Sequence, residues 1–439
     1  MKVSNTMSLR VSKIIQKNRF VKDILNSIDR LSGRALLVGG AVRDIFLNIS
    51  VKDLDFEVYG LTLEQLQEIL EQYGPVSLQG KSFGVLRVHG LDVDWSLPRK
   101  DSSGRHPVVA YDPGMSYEQA FARRDLTINA MGIDMQAFEL IDPFHGLQDL
   151  EDKILRAADL NFFGQDPLRL LRVMQFAGRF AMKVDEKLSQ LCRTMDISKV
   201  SHERIEQEFS KLFLQARKPS IGLQWLVEIG KFHELLPGIE NLKSLFSKLD
   251  FAAKLSFKND QEKLVMMWAI VASFLETQKV DGGLRQLNHK DKLPVINFMK
   301  YITCHDQLIQ QIVGLVSYAQ IIPQVLTDAQ IKWLAVWLAP ELSIRLLSQF
   351  MLIRHGVEQA TNLAEQAQKL GVLDAPEPAL LTGKDFLDVA SGIELGRLVK
   401  AAYQEQIDQA CLGEALKGED RGLVDRSILK VVVLKKREN

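Results

Sequence analysis

Asp53 and Asp55 stand one residue apart, and in an extended chain that spacing puts both carboxylates on one face. Adjacent carboxylates repel unless a cation lies between them. Mg²⁺ suits the position, because it takes a few carboxylates together with phosphate oxygens rather than a full protein cage. Upstream, Leu36-Leu37-Val38 reads as an apolar strand ending in Gly39-Gly40, followed by the amphipathic segment Ala41-Val42-Arg43-Asp44-Ile45-Phe46. Paired glycines let backbone N–H groups approach a triphosphate, helped by the positive end of the helix that follows. A lone Gly-Gly would be a tight turn, and a lone Asp-x-Asp a solvated pair. In this order they read as a metal-dependent nucleotidyl-transfer site, with Asp53 and Asp55 as the metal ligands.

Such a site needs about three carboxylates, so that one ion activates the attacking hydroxyl while another holds the triphosphate. Asp94, in Asp92-Val93-Asp94-Trp95-Ser96, supplies the third from a neighbouring strand, with Asp92 as its competitor. Arg123-Arg124-Asp125-Leu126-Thr127-Ile128-Asn129 adds arginines whose planar forks match triphosphate oxygens. Asp125 or Asn129 could accept from a ribose 2′-OH and so select ribonucleotides; the same run could equally open a helix with a solvated arginine pair.

In Gln165-Asp166-Pro167-Leu168-Arg169-Leu170-Leu171-Arg172, the residues Asp166, Arg169 and Arg172 recur along one side of a helix start. A carboxylate only accepts hydrogen bonds and a guanidinium only donates them. Side by side they match a base edge with an amino donor next to a ring-nitrogen acceptor: N4 and N3 of cytosine, or N6 and N1 of adenine. Guanine and uracil present the reverse order and would meet like against like. The plainer reading of Asp166 and Arg169 is a surface ion pair of small energy.

These residues need elements to hold them. Residues 1–33 read as an amphipathic helical lead-in, and residues 34–150 as a mixed α/β head with strands at Ala35–Val38, Asp53–Val58, Val85–Val88 and Asp92–Leu97. A helix opens at Thr62 with Gln65 as its capping-box partner. Lys100–Arg105 is polar and is expected to be mobile. Past Glu151 strand signals nearly vanish. A helical neck at 151–215 is expected, with Asp166 as cap and Pro167 in the first turn. A helical body follows at 216–373, then a sharp break at Asp374–Pro378 and a helical tail at 374–439. The fold class is therefore α+β.

Lys+Arg and Asp+Glu both number 55, so no global basic field announces a nucleic-acid partner, and RNA would have to be held by local patches. Arg193, Lys199, Arg204, Lys211, Arg217 and Lys218 are candidates, each equally readable as a solvated helix residue. No apolar run is long enough to span a bilayer, no signal-peptide core opens the chain, and three scattered cysteines suggest neither a metal site nor a disulfide framework. A reduced, cytoplasmic protein without membrane partners is expected.

The ordered set Gly39-Gly40-Ala41-Val42-Arg43-Asp44, Asp53-Leu54-Asp55, Arg123-Arg124-Asp125-Leu126-Thr127-Ile128-Asn129-Ala130 and Asp166-Pro167-Leu168-Arg169-Leu170-Leu171-Arg172 resembles the class II tRNA nucleotidyltransferase and bacterial poly(A) polymerase family. Ser201-His202-Glu203-Arg204-Ile205-Glu206 resembles the family's last shared motif, thought to brace the neck. Leu381-Thr382-Gly383-Lys384-Asp385 is similar to a tail segment. The resemblance implies a polymerase-beta-like nucleotidyltransferase head followed by helical neck, body and tail. It implies template-independent addition of CCA to the tRNA 3′ end from CTP and ATP, with Mg²⁺ as cofactor. On that analogy Asp53 and Asp55 hold Mg²⁺, and Gly40, Arg43 and Arg124 contact the triphosphate or sugar. Asp166 and Arg169 select the base, and Arg172 helps to hold the nucleotide.

Two positions depart from the family pattern: Gln165 stands where Glu is common, and Gln175 where an Arg often follows Arg172. Some relatives carry a phosphohydrolase site marked by His-Asp. Here the corresponding helix reads Ala269-Ile270-Val271-Ala272-Ser273-Phe274, and His305-Asp306 reads as structural, so no such site is expected. The rivals are a poly(A) polymerase, a CC-only or A-only enzyme, a small-molecule nucleotidyltransferase, and a non-catalytic RNA-binding protein. The Asp–Arg selector and long helical body disfavour the third, and the retained carboxylates disfavour the last.

Overall fold

A strand buried on both faces reads as a continuous apolar run, and the one before the glycine turn does so, whereas the strand after it interleaves Asp55 and Glu57 with apolar residues. In the computed structural model, β1 (Arg34–Val38) is buried from Ala35 to Val38, and β2 (Leu54–Tyr59) is buried except at Asp55. The structure describes residues 5–18, 20–79, 84–101, 109–275, 284–285, 289–416, 429–430 and 433–434. The chain divides into two units, Met1–Leu212 with Ile221–Glu234, and Phe213–Ser220 with Leu235–Asn439.

The first unit opens with α1 (Asn5–Lys17) and α2 (Val21–Arg30) rather than one helix, because Phe20 takes a left-handed conformation at φ 66° and breaks the run. Between β1 and β2 lies α3 (Gly40–Phe46), and after β2 comes α4 (Leu63–Glu71). The Thr62–Gln65 capping box forms as expected, with both reciprocal bonds present. Then follow β3 (Val76–Gln79), β4 (Val85–Val88), β5 (Val93–Ser96), β6 (Arg99–Asp101) and β7 (Val109–Tyr111). After them come α5 (Tyr117–Ala122), a 3-10 turn at Thr127–Asn129, β8 (Gly132–Asp134) and β9 (Leu140–Ile141).

The main sheet has the order β3-β4-β5-β2-β1-β8-β9. Neighbours pair antiparallel except β2 and β5, which run parallel. β3, β8 and β9 add to the strands expected from sequence; β8 and β9, at three and two residues, are too short to show a period. Lys100, expected in a mobile loop, lies in β6, which pairs with β7; residues 102–108 lie outside the described residues.

The unit continues through α6 (Gly146–Asp152), β10 (Ile154–Leu155), α7 (Leu160–Phe163), α8 (Leu168–Phe180), β11 (Lys183–Val184) and α9 (Glu186–Thr194). Strand structure therefore persists past Glu151, as a short parallel pair of β10 with β11. Next come α10 (His202–Gln215) and α11 (Pro219–Glu228). The start of α8 matches its sequence signal: Asp166 Oδ1 accepts from the Leu168 N–H at 3.1 Å. Leu170, Leu171, Val173, Met174 and Ala177 bury its inner face.

In the second unit, α12 (Phe232–Leu235) ends where the unit resumes, and the long helices are α13 (Leu242–Ala252), α14 (Asp260–Ala272), α15 (His289–Ile302) and α16 (Asp306–Ile321). They are followed by α17 (Asp328–Leu338), α18 (Ile344–His355), α19 (Val357–Lys369) and α20 (Gly392–Leu416). The break at Asp374–Pro378 is helix-free but tied down. Asp374 accepts from Lys258 at 2.5 Å and Arg345 at 2.9 Å, and Gln406 donates to the Pro378 carbonyl at 3.0 Å. No unit boundary falls at this break.

Candidate active site

The parallel pairing of β2 with β5 sets Asp55 beside Asp94 and Phe56 beside Trp95. Because side chains alternate, the carboxylates share one face and the rings the other. Phe56 and Trp95 stack at 4.6 Å between centroids and are wholly buried. A slip of one residue would send both rings to the polar face, so the buried stack fixes the carboxylate register. Asp94 rather than Asp92 is thereby the partner of Asp55.

Asp53 precedes β2 and is exposed. Burial pushes the Asp55 carboxyl above its ordinary range, and the charges of Asp94 and Asp53 push it further, against the pull of Arg124 and Arg87. Crowded negative charge of this kind is what a divalent cation relieves. Among the described residues no group of three acidic, His or Cys side chains converges closely enough to hold an ion alone. The donor set therefore fits a metal held by one or two carboxylates and phosphate oxygens, and does not fit a cage.

The glycine turn depends on its first residue. Gly39 has φ +70° and ψ −131°, a region essentially closed to other residues, and a Cβ there would lie 2.9 Å from Arg124 Nη1. The Gly39 N–H donates to the Met131 carbonyl at 3.1 Å, so the N–H groups left for a ligand are those of the first turn of α3, from Gly40 onward.

A cavity of about 640 Å³ opens over this face, and Asp55, Asp94, Arg124, Asp166 and Arg169 all line it. The structure thus brings the head carboxylates and the neck Asp–Arg pair to one space. Arg169 is anchored by donating to the Phe162 carbonyl at 2.7 Å and the Arg123 carbonyl at 2.6 Å. Asp166 Oδ2 accepts from Arg204 at 3.2 Å, which connects the start of α8 to α10. A carboxylate offers about four lone-pair sites, so Asp166 keeps acceptor capacity.

Arg43, Asp125, Asn129 and Arg172 are placed elsewhere, in a network outside the cavity lining. Asp125 is buried; its Oδ1 accepts from the Leu126 N–H at 2.8 Å and Asn129 Nδ2 at 2.9 Å, and its Oδ2 from Arg172 Nε at 2.6 Å. Asn129 Oδ1 in turn accepts from Arg43 Nη1 at 2.6 Å. Arg43 also binds Asp44 and lies 5.2 and 5.0 Å from the ring centroids of Phe176 and Phe180 on α8. The four residues hold the glycine turn, the 3-10 turn and α8 together.

Sequence reasoning missed Glu57, Arg87 and Arg99. Arg87, on β4, binds Asp94 at 2.6 Å, and Glu57 and Arg99 line the cavity. The alternation Asp53-x-Asp55-x-Glu57 was the available signal for the first; Arg87 and Arg99 carry none without the fold. Gln165 also lines the cavity, whereas Gln175 is buried and its Nε2 has no hydrogen-bond partner among the described residues. Of the basic residues considered for RNA, Arg193, Lys199 and Lys211 pair with Glu186, Asp196 and Glu208, while Arg217 and Lys218 are exposed.

Sheet order, paired carboxylates and the helices that follow define a polymerase-beta-like nucleotidyltransferase head with a helical extension. Residues 35–156 match the Poly A polymerase head domain, and residues 182–243 match the probable RNA and SrmB-binding site of polymerase A. Over these two stretches the chain is similar to the class II tRNA nucleotidyltransferase and bacterial poly(A) polymerase family.

The Multifunctional CCA protein of Haemophilus ducreyi is 33% identical over 261 residues, covering 54% of this chain and 62% of that one. Its counterpart from Laribacter hongkongensis is 36% identical over 226 residues, covering 50% of this chain and 54% of that one. The chain thus spans little more than half the length of these curated relatives.

A Bacillus stearothermophilus CCA-adding enzyme solved with CTP has a TM-score of 0.66 at 18% identity, covering 95% of this chain and 98% of that chain. A Thermotoga maritima CCA-adding enzyme solved with tRNA has a TM-score of 0.61 at 19% identity, covering 97% and 98%. At these identities the likeness establishes the fold. No helix among the described residues is long and apolar enough to cross a membrane.

Proposed function

We propose that the protein is an ATP(CTP):tRNA nucleotidyltransferase that adds CCA to tRNA 3′ ends without a template. The observation that carries this reading is that Asp55 and Asp94 share one cavity with Asp166 and Arg169. A site that transfers a nucleotidyl group and a pair that distinguishes C and A from G and U are then parts of one pocket. The likeness to CCA-adding enzymes solved with CTP and with tRNA supports the same substrates here. tRNA, CTP and ATP are met in the cytoplasm, which is the setting this reading implies.

In the reaction, the tRNA 3′-OH attacks the α-phosphate of the incoming nucleotide and pyrophosphate leaves. Asp53 and Asp55 would hold Mg²⁺, which when bound supplies positive charge to the transferring phosphoryl oxygens. Asp94, steadied by Arg87, completes the carboxylate face. Arg124 directs its fork at the triphosphate beside the glycine turn. Asp166 accepts from the exocyclic amine of cytosine or adenine while Arg169 donates to the adjacent ring nitrogen. Arg172 and Asp125 act behind the pocket, holding α8 against the head.

The test is incubation of the protein with tRNA lacking its 3′ end, with each labelled nucleotide singly and then with CTP plus ATP. Addition of C, C and A supports the reading. A long A tail, CC alone, or one A on a CC-ended tRNA would redirect it to the poly(A), CC-adding or A-adding alternatives.

A further inference from the structure

The face of β2 that carries Asp55 carries another carboxylate two residues on. Glu57 is buried, stands in register with Ser96 on β5, and lines the cavity. Its Oε2 accepts from Arg124 Nη2 at 3.2 Å, and its Oε1 accepts from the Tyr59 hydroxyl. Arg124 also lies 5.3 Å from the Phe121 ring centroid and sits against Gly39, where a Cβ would stand 2.9 Å from its Nη1. One guanidinium thus touches the glycine turn on one side and a buried carboxylate on another.

A strand advances about 3.3 Å per residue, so Glu57 stands about 7 Å along the chain from Asp55. Its oxygens are taken up by an arginine and a phenol. Among the described residues no acidic group of three, Glu57 included, is tight enough for an ion. These contacts fit a strut for Arg124 better than a metal ligand. A guanidinium presents five donors in a rigid fork, so fixing one edge sets the direction of the rest.

Resting on the nucleotidyl-transfer reading above, we propose that Glu57, itself held by Tyr59, is a positioning residue that fixes Arg124 under the glycine turn to receive the pyrophosphate portion of any incoming nucleotide. The contact is to the phosphates and not to the base. Its loss therefore weakens CTP and ATP alike and leaves base choice intact.

Glu57→Gln keeps the side-chain size; with the Tyr59 hydroxyl turned to accept its amide N–H, it leaves Arg124 a neutral oxygen in place of a carboxylate. The expected result, measured on the full chain, is a rise of about tenfold in KM for both CTP and ATP, the size of one charge-assisted hydrogen bond. Inhibition by inorganic pyrophosphate weakens by the same factor, and kcat changes little. The preference for C and A over U and G is unchanged. Tyr59→Phe shifts KM the same way by less, and decides the matter should Glu57→Gln not fold. In an Arg124→Ala background Glu57→Gln adds nothing further, because the two act as a unit. An additive loss in that background, altered base choice, or unchanged CTP and pyrophosphate affinity would overturn the proposal. Failure of the underlying reading looks different: the unaltered protein would then bind neither CTP nor pyrophosphate.

Discussion

Replacing Asp125 by Asn separates a strut from a sugar contact. In the folded protein Asp125 uses Oδ1 for Leu126 and Asn129 and Oδ2 for Arg172, all of them donors. An amide has one acceptor and one NH₂, so either rotamer turns its donor toward another donor and leaves Arg172 without its counter-charge. Asp125 is 8% and Arg172 33% exposed at the side chain, so solvent makes up part of the loss on the arginine side. Breaking a fully buried pair by removing one partner costs about 3–5 kcal/mol, and the exposure of Arg172 brings that down to about 2–3 kcal/mol. For a unit of this size that corresponds to a fall in Tm of about 4–12 °C.

Burial alone would push the Asp125 carboxyl up. The charge of Arg172 and the hydrogen bonds from Asn129, Arg172 and Leu126 outweigh it and hold the group below its ordinary range. A depressed folded-state value contributes stability that is complete above the unfolded value of about 4 and is lost as pH falls through the folded one. The gap in Tm between the two proteins should therefore be constant from neutral pH to about pH 4 and narrow below it. Calorimetry across pH 3–7 measures this, alongside incorporation of CTP against dCTP. A near-normal Tm with lost ribose discrimination would refute the strut and return Asp125 to the sugar.

Asp55→Asn should abolish single-turnover nucleotide addition while filter-binding affinity for tRNA survives; normal incorporation would remove Asp55 from the metal site. Gly39→Ala should cost about 1–3 kcal/mol through its backbone conformation alone. It should also raise KM for CTP, because the new Cβ displaces Arg124; a silent substitution in both Tm and KM would contradict the geometry of the turn. Asp166→Ala or Arg169→Ala should change C or A incorporation about ten- to a hundred-fold, with relative gains for U or G. Equal loss for all four nucleotides would make the pair structural.

What could be read from the chain was local. Strands β1, β2, β4 and β5, the glycine turn between the first two and the Thr62–Gln65 cap are all written within a few residues of themselves. The network around Asp125 joins residues 43, 125, 129 and 172, and only the interval from Asp125 to Asn129 is short. An acidic residue after two arginines looks the same in sequence whether it faces solvent or a partly buried guanidinium. Arg87 was invisible for a similar reason, since its pairing with Asp94 exists only because β4 and β5 are antiparallel neighbours. The three-residue β8 starts just past the Arg123–Ala130 motif and is too short to carry an alternation of its own.

Phe176 and Phe180, stacked at 5.8 Å, receive Arg43 near their rings and thereby clamp the far half of α8 to the glycine turn. Arg169 lies at the opposite end, about 16 Å away at the rise of an α-helix. The helix is a beam tied at both ends, by aromatic rings at one and by the Phe162 and Arg123 carbonyls at the other. Slackening either support shifts the whole beam. On the proposed reading, Phe176 and Phe180 then bear on how accurately a base is accepted, although no nucleotide need touch them.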